Sequence, residues 1–481
     1  MKPLILCALL ALAGCTTIGQ DFSEPAGVTT ATWRNGGAVS TNSADSARLP
    51  AQWWSVFNDA VLNELEARAV RDNAGVRASA QRLLQAQAQL GNLRAAQGPA
   101  LSVGTSVANS RSSTQTAQSR VLGGRVIEGD NITVGASLSY ELDLWGRVRR
   151  VVEAADAQAL ATQYERDGVI ALLSAQVATT YWQLRGADAE LAILKEALAA
   201  RREAQDVVEA RFNGGLANEL DLARARVERA NAQTELVDVQ RQSTLLENAL
   251  AVLVGVSPSA PLIARLDNPA LPQPPAIPVG LPASLLAQRP DLAASVAGLR
   301  AANANVAVAE GAFYPSLSLT GNFGFASENL GDLLKSGARQ FSIGPLALSL
   351  PVFDGGRNKA GLALSKARYA EAVANHEGRL LTALREVEDA LSEVQQRQLQ
   401  GEVQALAQQG AARAVLVARA RYERGLSSYL EVTDAQRSAL AADRAAAQIR
   451  TQRLLASVAV ARSLGAGWTP QAPVATIAQA K

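Results

Sequence analysis

Four stretches of the chain alternate apolar and polar residues at every second position, as is typical of β-strands with one apolar face. The clearest runs from Ile132 to Leu142, where apolar side chains alternate with Thr, Gly, Ser and Glu. Similar alternations follow Pro99, Pro315 and Gln340. Strands are therefore predicted over about 99–110, 130–144, 315–326 and 340–353.

The fourth of these stretches changes phase part of the way along. Phe341 and Ile343 occupy one phase, whereas Leu346 and Leu348 occupy the other, with Gly344-Pro345 at the switch. An extra residue in one strand shifts its faces, and proline has no N–H to give to a ladder. The pattern predicts a β-bulge at Gly344-Pro345.

Apolar residues at a strict interval of seven follow the second strand. Ile170, Val177, Leu184, Leu191 and Leu198 recur at this interval, and no proline lies between positions 146 and 212. Such heptads are typical of long helices that pack as coiled coils. We predict long helices over 146–212 and 357–423, followed by helices over 217–254 and 427–464, with a further helix before each pair of strands.

The order of elements occurs twice along the chain. The segment 99–105, PALSVGT, returns as PSLSLTG at 315–321, and RFNGGL at 211–216 returns as RYERGL at 421–426. A proline-rich stretch without periodicity separates the copies and is typical of a linker. The predicted segments are 1–15 (signal peptide), 16–60 (N-terminal segment), 61–256 (first repeat), 257–281 (linker), 282–467 (second repeat) and 468–481 (C-terminal tail).

Four amphipathic strands, each about ten residues long, suit the wall of an outer-membrane barrel but cannot close one. An open edge in lipid costs several kcal/mol for each unsatisfied backbone group, so copies of the chain must share the barrel. Two copies would give about eight strands with little lumen, and three would give about twelve around an aqueous interior. The predicted fold class is mixed α and β, with four transmembrane strands per protomer and coiled-coil-like helices that continue the ring as a tube.

The start of the chain is typical of a secretory signal. Lys2 precedes a short apolar stretch that ends in Leu12-Ala-Gly-Cys15 and is too short to span a bilayer. This ending resembles a bacterial lipobox, which makes Cys15 the predicted lipidation site; an ordinary signal with an incidental cysteine is the alternative. In bacterial lipoproteins Asp after the cysteine favours the inner membrane, so Thr16 favours the outer one.

Aromatic residues cluster at the predicted strand ends. Phe323, Phe325 and Phe341 lie near one set of ends, and five others lie at the ends next to the helices: Tyr140, Trp145, Phe313, Tyr314 and Phe353. Aromatic girdles flank the apolar band of outer-membrane barrels, so the five are predicted to lie at a membrane interface. A soluble sandwich with core aromatics is the alternative, but it explains neither the lipobox nor the long helices.

Composition argues against catalysis, resident metals and nucleic acid. Net charge is +2 with the charges mixed along the chain, and the chain has two cysteines and one histidine. His376-Glu377 begins like a zinc-protease motif, but the second histidine is replaced by Leu380. No catalytic residue, metal or cofactor is expected apart from lipid on Cys15. No later run of 18 apolar residues occurs, so no membrane-spanning helix is expected either.

Several segments, spread over almost the whole chain, together resemble the outer-membrane efflux lipoproteins of the TolC superfamily, OprM/NodT type. They are Leu12–Cys15, Asp21–Pro25, Trp53–Phe57, Tyr140–Arg147, Gln288–Leu292, Ala312–Ser316, Leu350–Arg357 and Arg421–Arg437. Asp72-Asn-Ala-Gly-Val76 departs from the pattern of that family, which usually has an Asn-x-Asp-Leu stretch at the start of this helix.

The resemblance implies a homotrimer with a twelve-stranded β-barrel and a twelve-helix α-barrel, lipid-anchored in the outer membrane and extending into the periplasm. An inner-membrane proton-driven pump of the RND class would supply substrate through a periplasmic adaptor protein, and the duct itself would be passive. Export of protein or polysaccharide by a type I secretion partner is the runner-up. A structural envelope tether with a sealed lumen is a third reading, against which the polar strand faces argue.

The helix–turn–helix ends at 211–220 and 421–430 would form the periplasmic entrance. Gly214, Gly215 and Gly425 permit the left-handed geometry that ends a helix, and together with Arg421 they mark the expected adaptor contact.

Leu430 and Asp434 stack on one helix face, being four residues apart. The resemblance implies that they form an apolar ring and an acidic ring that constrict the resting pore. The repeat places Arg224 at the position equivalent to Asp434, and we predict that it pairs with a carboxylate near the closed mouth.

Overall fold

The computed structural model describes residues 17–25, 32–35, 49–121, 123–263, 270–277 and 288–469. The predicted signal peptide with Cys15, positions 264–269 and 278–281 of the linker and nearly all of the C-terminal tail lie outside these residues. The described chain is mixed α and β and mostly helical. Its main elements, in order, are α1 (Ala60–Asp72), α2 (Ala74–Ala95), β1 (Ala100–Arg111), α3 (Ala117–Val121), β2 (Glu128–Leu142), α4 (Arg147–Asn213), α5 (Glu219–Val254), α6 (Pro290–Gly311), β3 (Ser316–Ser327), β4 (Arg339–Ser349), α7 (Arg357–Glu423) and α8 (Tyr429–Ser463).

The chain divides into two compact units, and each draws on both halves of the sequence. The strand unit takes in Leu83–Thr162 and Ser295–Asn375 with the N-terminal residues up to Pro25. The helical unit takes in Ala26–Arg82, Gln163–Ala294 and His376–Lys481. α4 and α7 have 67 residues each, which corresponds to about 100 Å of helix.

The sequence predicts one helix before the first pair of strands, but the structure has two, α1 and α2, which meet at Asn73. The Asn73 side chain accepts hydrogen bonds from the N–H groups of Gly75 (2.7 Å) and Val76 (3.2 Å), and so caps α2. Its Nδ2 donates to the carbonyl oxygen of Leu253 at 2.9 Å. An amide that caps one helix and binds another holds the break in place.

Some ends of the other elements differ from the expected ones for local reasons. β4 ends at Ser349 rather than near 353, because Pro351 has no N–H to give and the chain then turns through Gly355 and Gly356, both at positive φ. α8 begins at Tyr429, directly after its N-cap residue Ser428. The polar loop between the first two strands contains the short helix α3.

The strands form one antiparallel sheet in the order β1-β2-β3-β4. The β-bulge predicted at Gly344-Pro345 is confirmed. Leu319 pairs with Leu346, and the next pair is Gly321 with Ile343, so β4 carries one more residue than β3 at this point. The extra residue restores the apolar side chains of β4 to a common face.

The core of the helical unit is one cluster of side chains contributed by α1, α4, α5, α7 and α8. Its fully buried members include Trp53, Leu62, Tyr181, Trp182, Leu250, Leu380 and Leu454. Truncation of a buried leucine in such a core costs about 2–5 kcal/mol. The cluster joins residues of both halves of the sequence, so neither half of the helical unit has a core of its own.

The Gln-Arg-Pro-Asp-Leu motif at 288–292 joins α6 to α7 and α8 within the helical unit. Arg289 is buried, and it donates to Asp291 (2.8 Å), Glu386 (2.8 Å) and the carbonyl oxygen of Ser463 (3.1 Å). Burial acts to raise the pKa of Asp291, but the hydrogen bond and charge of Arg289 outweigh it and hold that pKa below its usual range. The motif is therefore a structural clamp.

Within the described residues, one helix is long and apolar enough to cross a membrane by length and composition alone, namely α6. Core helices of soluble proteins pass the same test, and 39% of the relevant window is buried. Arg300, Asn303 and Asn305 interrupt its apolar sequence, so this test by itself is weak evidence for a spanning helix.

Candidate functional site

The sheet of the strand unit has one apolar face, and that face is exposed. Across the four strands the register aligns Val103, Ala136, Phe323 and Phe341 in one row. Val103 is 77% exposed and Ile343, in the next row, is 86% exposed. A contiguous exposed apolar surface of this kind marks a membrane or protein contact.

The opposite face of the sheet carries hydroxyl and amide groups that bond across the strands. Ser102 Oγ lies 2.7 Å from Ser137 Oγ, and Ser106 Oγ lies 2.7 Å from Thr133 Oγ1. These side chains are exposed or half-buried. One face therefore suits lipid, and the other suits water.

β1 and β4 are the outer strands of this sheet in the part of the chain that the structure describes. Each presents a row of backbone N–H and C=O groups without a ladder partner on its outer side. Such edges cannot face lipid, because each unsatisfied group costs several kcal/mol there. In lipid, a sheet of this kind would need partner strands along both outer edges.

The five aromatic residues expected at an interface lie at the junctions of strands and helices. Trp145 Nε1 donates to the carbonyl oxygen of Pro315 at 2.8 Å, and the Trp145 ring lies 5.4 Å from that of Tyr314. Phe313 and Tyr314 are exposed, and Phe353 is 93% exposed. Tyr140 lies on β2 opposite Leu319. An aromatic belt at one end of the strands suits the membrane–water boundary.

The Tyr-Glu-Leu-Asp-Leu-Trp-Gly-Arg motif makes the junction of β2 and α4 rigid. Glu141 forms a bidentate ion pair with Arg147 at 2.7 and 2.8 Å. Asp143 accepts hydrogen bonds from the N–H groups of Val148 (2.9 Å) and Arg149 (2.8 Å), as a helix cap does. Gly146 has φ +80°, which favours glycine.

The C-terminal ends of α4 and α7 have the same hydrogen-bonding pattern. After α4, Leu216 N–H donates to Arg211 O (2.8 Å) and Gly215 N–H to Phe212 O (2.9 Å). After α7, Leu426 N–H donates to Arg421 O (2.9 Å) and Gly425 N–H to Tyr422 O (2.9 Å). Gly215 and Gly425 have φ of +70° and +72°, whereas Gly214 does not have positive φ. Both ends are Schellman motifs.

Each turn has an exposed leucine at its tip. Side chains further from the tips hold the two turns together. Leu216 is 81% exposed and Leu426 is 66% exposed. The Arg211 guanidinium lies 5.0 Å from the centre of the Tyr422 ring, and Tyr422 packs against Tyr429. Burial raises the pKa of Tyr429. The turns thus form one contiguous tip with apolar residues facing outward.

The residues expected to form a gate lie just past the second turn. Leu430 is half-exposed in the first turn of α8, and Asp434 lies exposed one turn later. Asp434 Oδ1 is 3.7 Å from Arg437 Nη1. Arg224 Nη1 is 4.0 Å from Asp221 Oδ1 within α5, so its carboxylate neighbour in this protomer is local.

Sequence reasoning missed a buried carboxylate next to these residues. Glu228 of α5 is buried and accepts a hydrogen bond from Arg437 Nε of α8 at 2.8 Å, with Arg437 Nη2 also in contact. Arg201 of α4, itself buried, lies 3.6 Å from the same carboxylate. The hydrogen bond to Glu228 raises the pKa of Arg437. One carboxylate therefore joins three helices near the turns.

A second ion pair joins α5 and α8 one heptad away. Arg444 Nη1 lies 2.9 Å from Glu235 Oε2, and Arg444 Nε donates to Glu190 Oε1 of α4 at 2.7 Å. We call the Glu228–Arg437 and Glu235–Arg444 pairs the ion-pair ladder. Its signal in the sequence is the common spacing of seven between the two acids and between the two arginines.

The described residues contain no group of three or more His, Cys, Asp or Glu side chains arranged to hold a metal ion. The features that stand out in them are surfaces and helix contacts. None combines a nucleophile with an acid or a base in a cleft.

Comparison with known proteins gives a consistent result. The family model described as "Outer membrane efflux protein" matches residues 67–256 and again residues 281–466. The outer membrane protein OprJ of Pseudomonas aeruginosa is 35% identical over 467 residues, covering 96% of this chain and 95% of that protein. The probable efflux pump outer membrane protein TtgC of Pseudomonas putida is 33% identical over 473 residues, covering 98% and 96%. The crystal structure of the Campylobacter jejuni CmeC outer membrane channel matches with TM-score 0.86 at 26% identity, covering 94% of this chain and 96% of that one.

Proposed function

Since the chain belongs to the outer membrane efflux protein family, and is thus an outer-membrane duct for efflux, we propose that it is the passive exit duct of a tripartite multidrug pump, gated at its periplasmic end. The duct is a homotrimer anchored by lipid on Cys15. An RND pump in the inner membrane supplies the energy, and a periplasmic adaptor protein connects the two. The observation that carries this proposal is the sheet with one lipid-compatible face, one hydrophilic face and two open edges.

The sheet supports the trimer because its edges have to pair with other copies. Three copies of the four-stranded sheet provide about twelve strands, enough for an aqueous lumen, whereas two copies provide about eight and leave little room. β1 of one copy would pair with β4 of the next. The row of hydroxyl groups that includes Ser102 and Ser137 would then face the water-filled interior, and the row that includes Val103 and Phe341 would face lipid.

The two turns support an entrance that docks the adaptor. Leu216 and Leu426 are exposed at the tips of rigid Schellman turns, and Arg211 and Arg421 lie beside them. Small exposed apolar anchors held by a rigid backbone suit docking against a helical partner, because little conformational entropy is lost on binding.

The gate is assigned to Leu430 and Asp434, with Arg224 as a pairing residue on the equivalent helix. Three Asp434 carboxylates around a narrow axis would attract cations and oppose anions. Asp434 is exposed in the protomer and only loosely paired with Arg437, so its charge is free to act on the pore.

Asp434→Ala is expected to abolish most of the cation preference of single channels in planar bilayers, because it removes the acidic ring from the narrowest point. Asp434→Asn should do the same, since it keeps the shape and removes the charge. Asp434→Glu is the matched control and should retain the preference. Unchanged ion selectivity in both neutral variants would refute the gate assignment.

The duct itself is tested by dye efflux from cells that lack the gene, with and without the gene restored. Slower efflux that the restored gene rescues is the expected result, since removal of the exit duct stops the pump from discharging outside the cell. Unchanged efflux, with the protein present in the outer membrane, would contradict the multidrug duct and favour export for a type I secretion partner.

A further inference from the structure

The residues that follow the predicted lipidation site are bound to the strand unit by a buried arginine. We call residues 17–22 the strap. Arg150, in the first turn of α4, is buried and donates from Nε to the carbonyl oxygen of Ile18 at 3.0 Å. Its Nη2 lies 3.4 Å from the carbonyl oxygen of Gly19 and 3.0 Å from Asp21 Oδ1, while its Nη1 donates to Glu153 at 2.7 Å.

The other side of the strap is bound by α6. Asn303 Nδ2 donates to the carbonyl oxygen of Gln20 at 2.9 Å, and the Arg300 guanidinium lies 5.4 Å from the centre of the Phe22 ring. Gly19 has φ +87°, and a Cβ there would come within 2.3 Å of the Ala307 Cβ. Only glycine fits at this position, so the strap lies directly against the helix.

The strap also contacts the turn between β2 and α4. Ile18 is buried, and its N–H donates to the carbonyl oxygen of Trp145 at 3.1 Å. A Cβ at Gly146 would come within 2.4 Å of Thr17 Cγ2. The strap thus joins an element of the first half of the sequence to one of the second, next to the aromatic residues Trp145 and Tyr314.

The distance along the chain from the strap to the lipidation site is short. Only Thr16 lies between Cys15 and Thr17, and two steps of extended chain span at most about 7 Å. Lipoproteins with a long flexible linker after the cysteine let the folded part move freely relative to the membrane. Here the bound strap removes that freedom.

We propose that Arg150 is a positioning residue for the lipid anchor: by holding the strap it makes the acyl chains enter the inner leaflet of the outer membrane at the level of the strand–helix junction. This inference rests on the proposed lipidation of Cys15. An anchored protomer is thereby held with its strands at the membrane surface, where their open edges meet those of other copies. A lipid on a loose tether would leave the height and the orientation of the strands unfixed.

The test compares the rate of trimer formation in the outer membrane for the full-length chain and its variants. Arg150→Met keeps much of the side-chain volume and removes the hydrogen bonds to the strap. It is expected to slow assembly at least about tenfold, because the loss of even one charge-assisted hydrogen bond has an effect of that size. Arg149→Met is the matched control, because Arg149 is an exposed neighbour whose guanidinium bonds to Asp143 and makes none of the hydrogen bonds described above for the strap.

A second variant leaves every contact of the strap intact and instead lengthens the chain between Cys15 and the strap. A six-residue Gly-Ser insertion between Thr16 and Thr17 should slow assembly to a similar extent. Both changes should have little further effect in a chain with Cys15→Ala behind an ordinary cleavable signal peptide. Assembly of both variants at the wild-type rate would overturn the proposal. An equal effect of Arg150→Met with and without the lipid would also overturn it, because the strap would then be purely structural.

Mass spectrometry of the wild-type N-terminal peptide separates this inference from the function on which it rests. An acylated Cys15 in the wild type and in both variants is the expected result. If the wild-type peptide carried no acyl groups, Arg150 could not position a lipid anchor, and the inference would be wrong. If that same protein still restored dye efflux, the proposed duct function would remain supported.

Discussion

Arg437→Ala is expected to leave the channel open at rest, raising its mean conductance in planar bilayers at least about tenfold. Arg437 is the member of the ion-pair ladder nearest to the turns, and it holds α8 to α5 through the buried Glu228. The substitution does not leave Glu228 without a cation, because Arg201 remains 3.6 Å away. The fold of the helical unit should therefore persist while α8 is released.

The size of the effect follows from the three copies in the proposed trimer. A hydrogen bond to a charged group contributes about 1.5–3 kcal/mol, which the half-exposed position of Arg437 reduces to roughly 1 kcal/mol. Three such losses amount to roughly 3 kcal/mol, or about two orders of magnitude in a two-state equilibrium between closed and open forms. Arg444→Ala, one heptad further along, should act in the same direction.

The control for this substitution is Arg450→Ala. Arg450 is exposed on the same helix and takes no part in the ion-pair ladder. Its replacement should leave the resting conductance at the wild-type level. Equal conductance of the Arg437 and Arg450 variants would show that the ladder does not hold the gate.

Glu66→Gln is expected to remove most of the dependence of stability on pH between about pH 5 and 8. Glu66 is fully buried in α1, and neither carboxylate oxygen has a hydrogen-bond partner among the described residues. Burial raises its pKa from 4.5 to about 9. The folded protein thus keeps this group protonated at neutral pH, whereas the unfolded chain releases the proton.

The sign of the effect follows from that difference. Because the pKa of Glu66 is higher in the folded state, the contribution of this group to stability is fully present below pH 4.5 and is lost as the pH rises towards 9. At pH 7 the loss amounts to about 3 kcal/mol in the free energy of unfolding. Glutamine keeps the shape of the side chain and does not ionise, so the variant should be more stable than the wild type at pH 8.

Thermal unfolding of the detergent-solubilised protein at pH 5 and pH 8 measures this. The matched control is Glu64→Gln, an exposed residue in the same helix, which should leave the pH dependence of the wild type unchanged. If the Tm of the Glu66 variant fell between pH 5 and pH 8 as steeply as that of the wild type, Glu66 would not be the titrating group.

Features fixed by short-range rules could be predicted from the sequence. The bulge at Gly344-Pro345 follows from a phase change within one strand, and the positive φ of Gly215 and Gly425 follows from glycines placed at helix ends. These signals lie within a few residues of the feature that they predict. The alternation of apolar and polar side chains likewise indicated a two-faced sheet, since register preserves the faces across strands.

Features that depend on contacts between distant residues could not be predicted. The helix break at Asn73 is held by the carbonyl oxygen of Leu253, and the Glu228–Arg437 pair joins residues 209 positions apart. Finding either would have required knowledge of which helices are neighbours. Arg224 shows what the repeat alone can supply: it marks the position equivalent to Asp434 but not the partner, and within the protomer the neighbouring carboxylate is Asp221 of the same helix.

The two open edges of the sheet are different strands, and this has a genetic consequence for the proposed trimer. Each copy pairs β1 with one neighbour and β4 with the other, so the ring closes head to tail. Every junction between two copies therefore needs an intact β1 from one copy and an intact β4 from the next. One copy with a damaged edge leaves a gap that its neighbours cannot fill. When such an allele is expressed at the level of the intact gene, only about one trimer in eight is free of the damaged copy, by random mixing of three subunits. Edge-strand alleles should therefore be dominant, whereas alleles that prevent the chain from folding at all should be recessive.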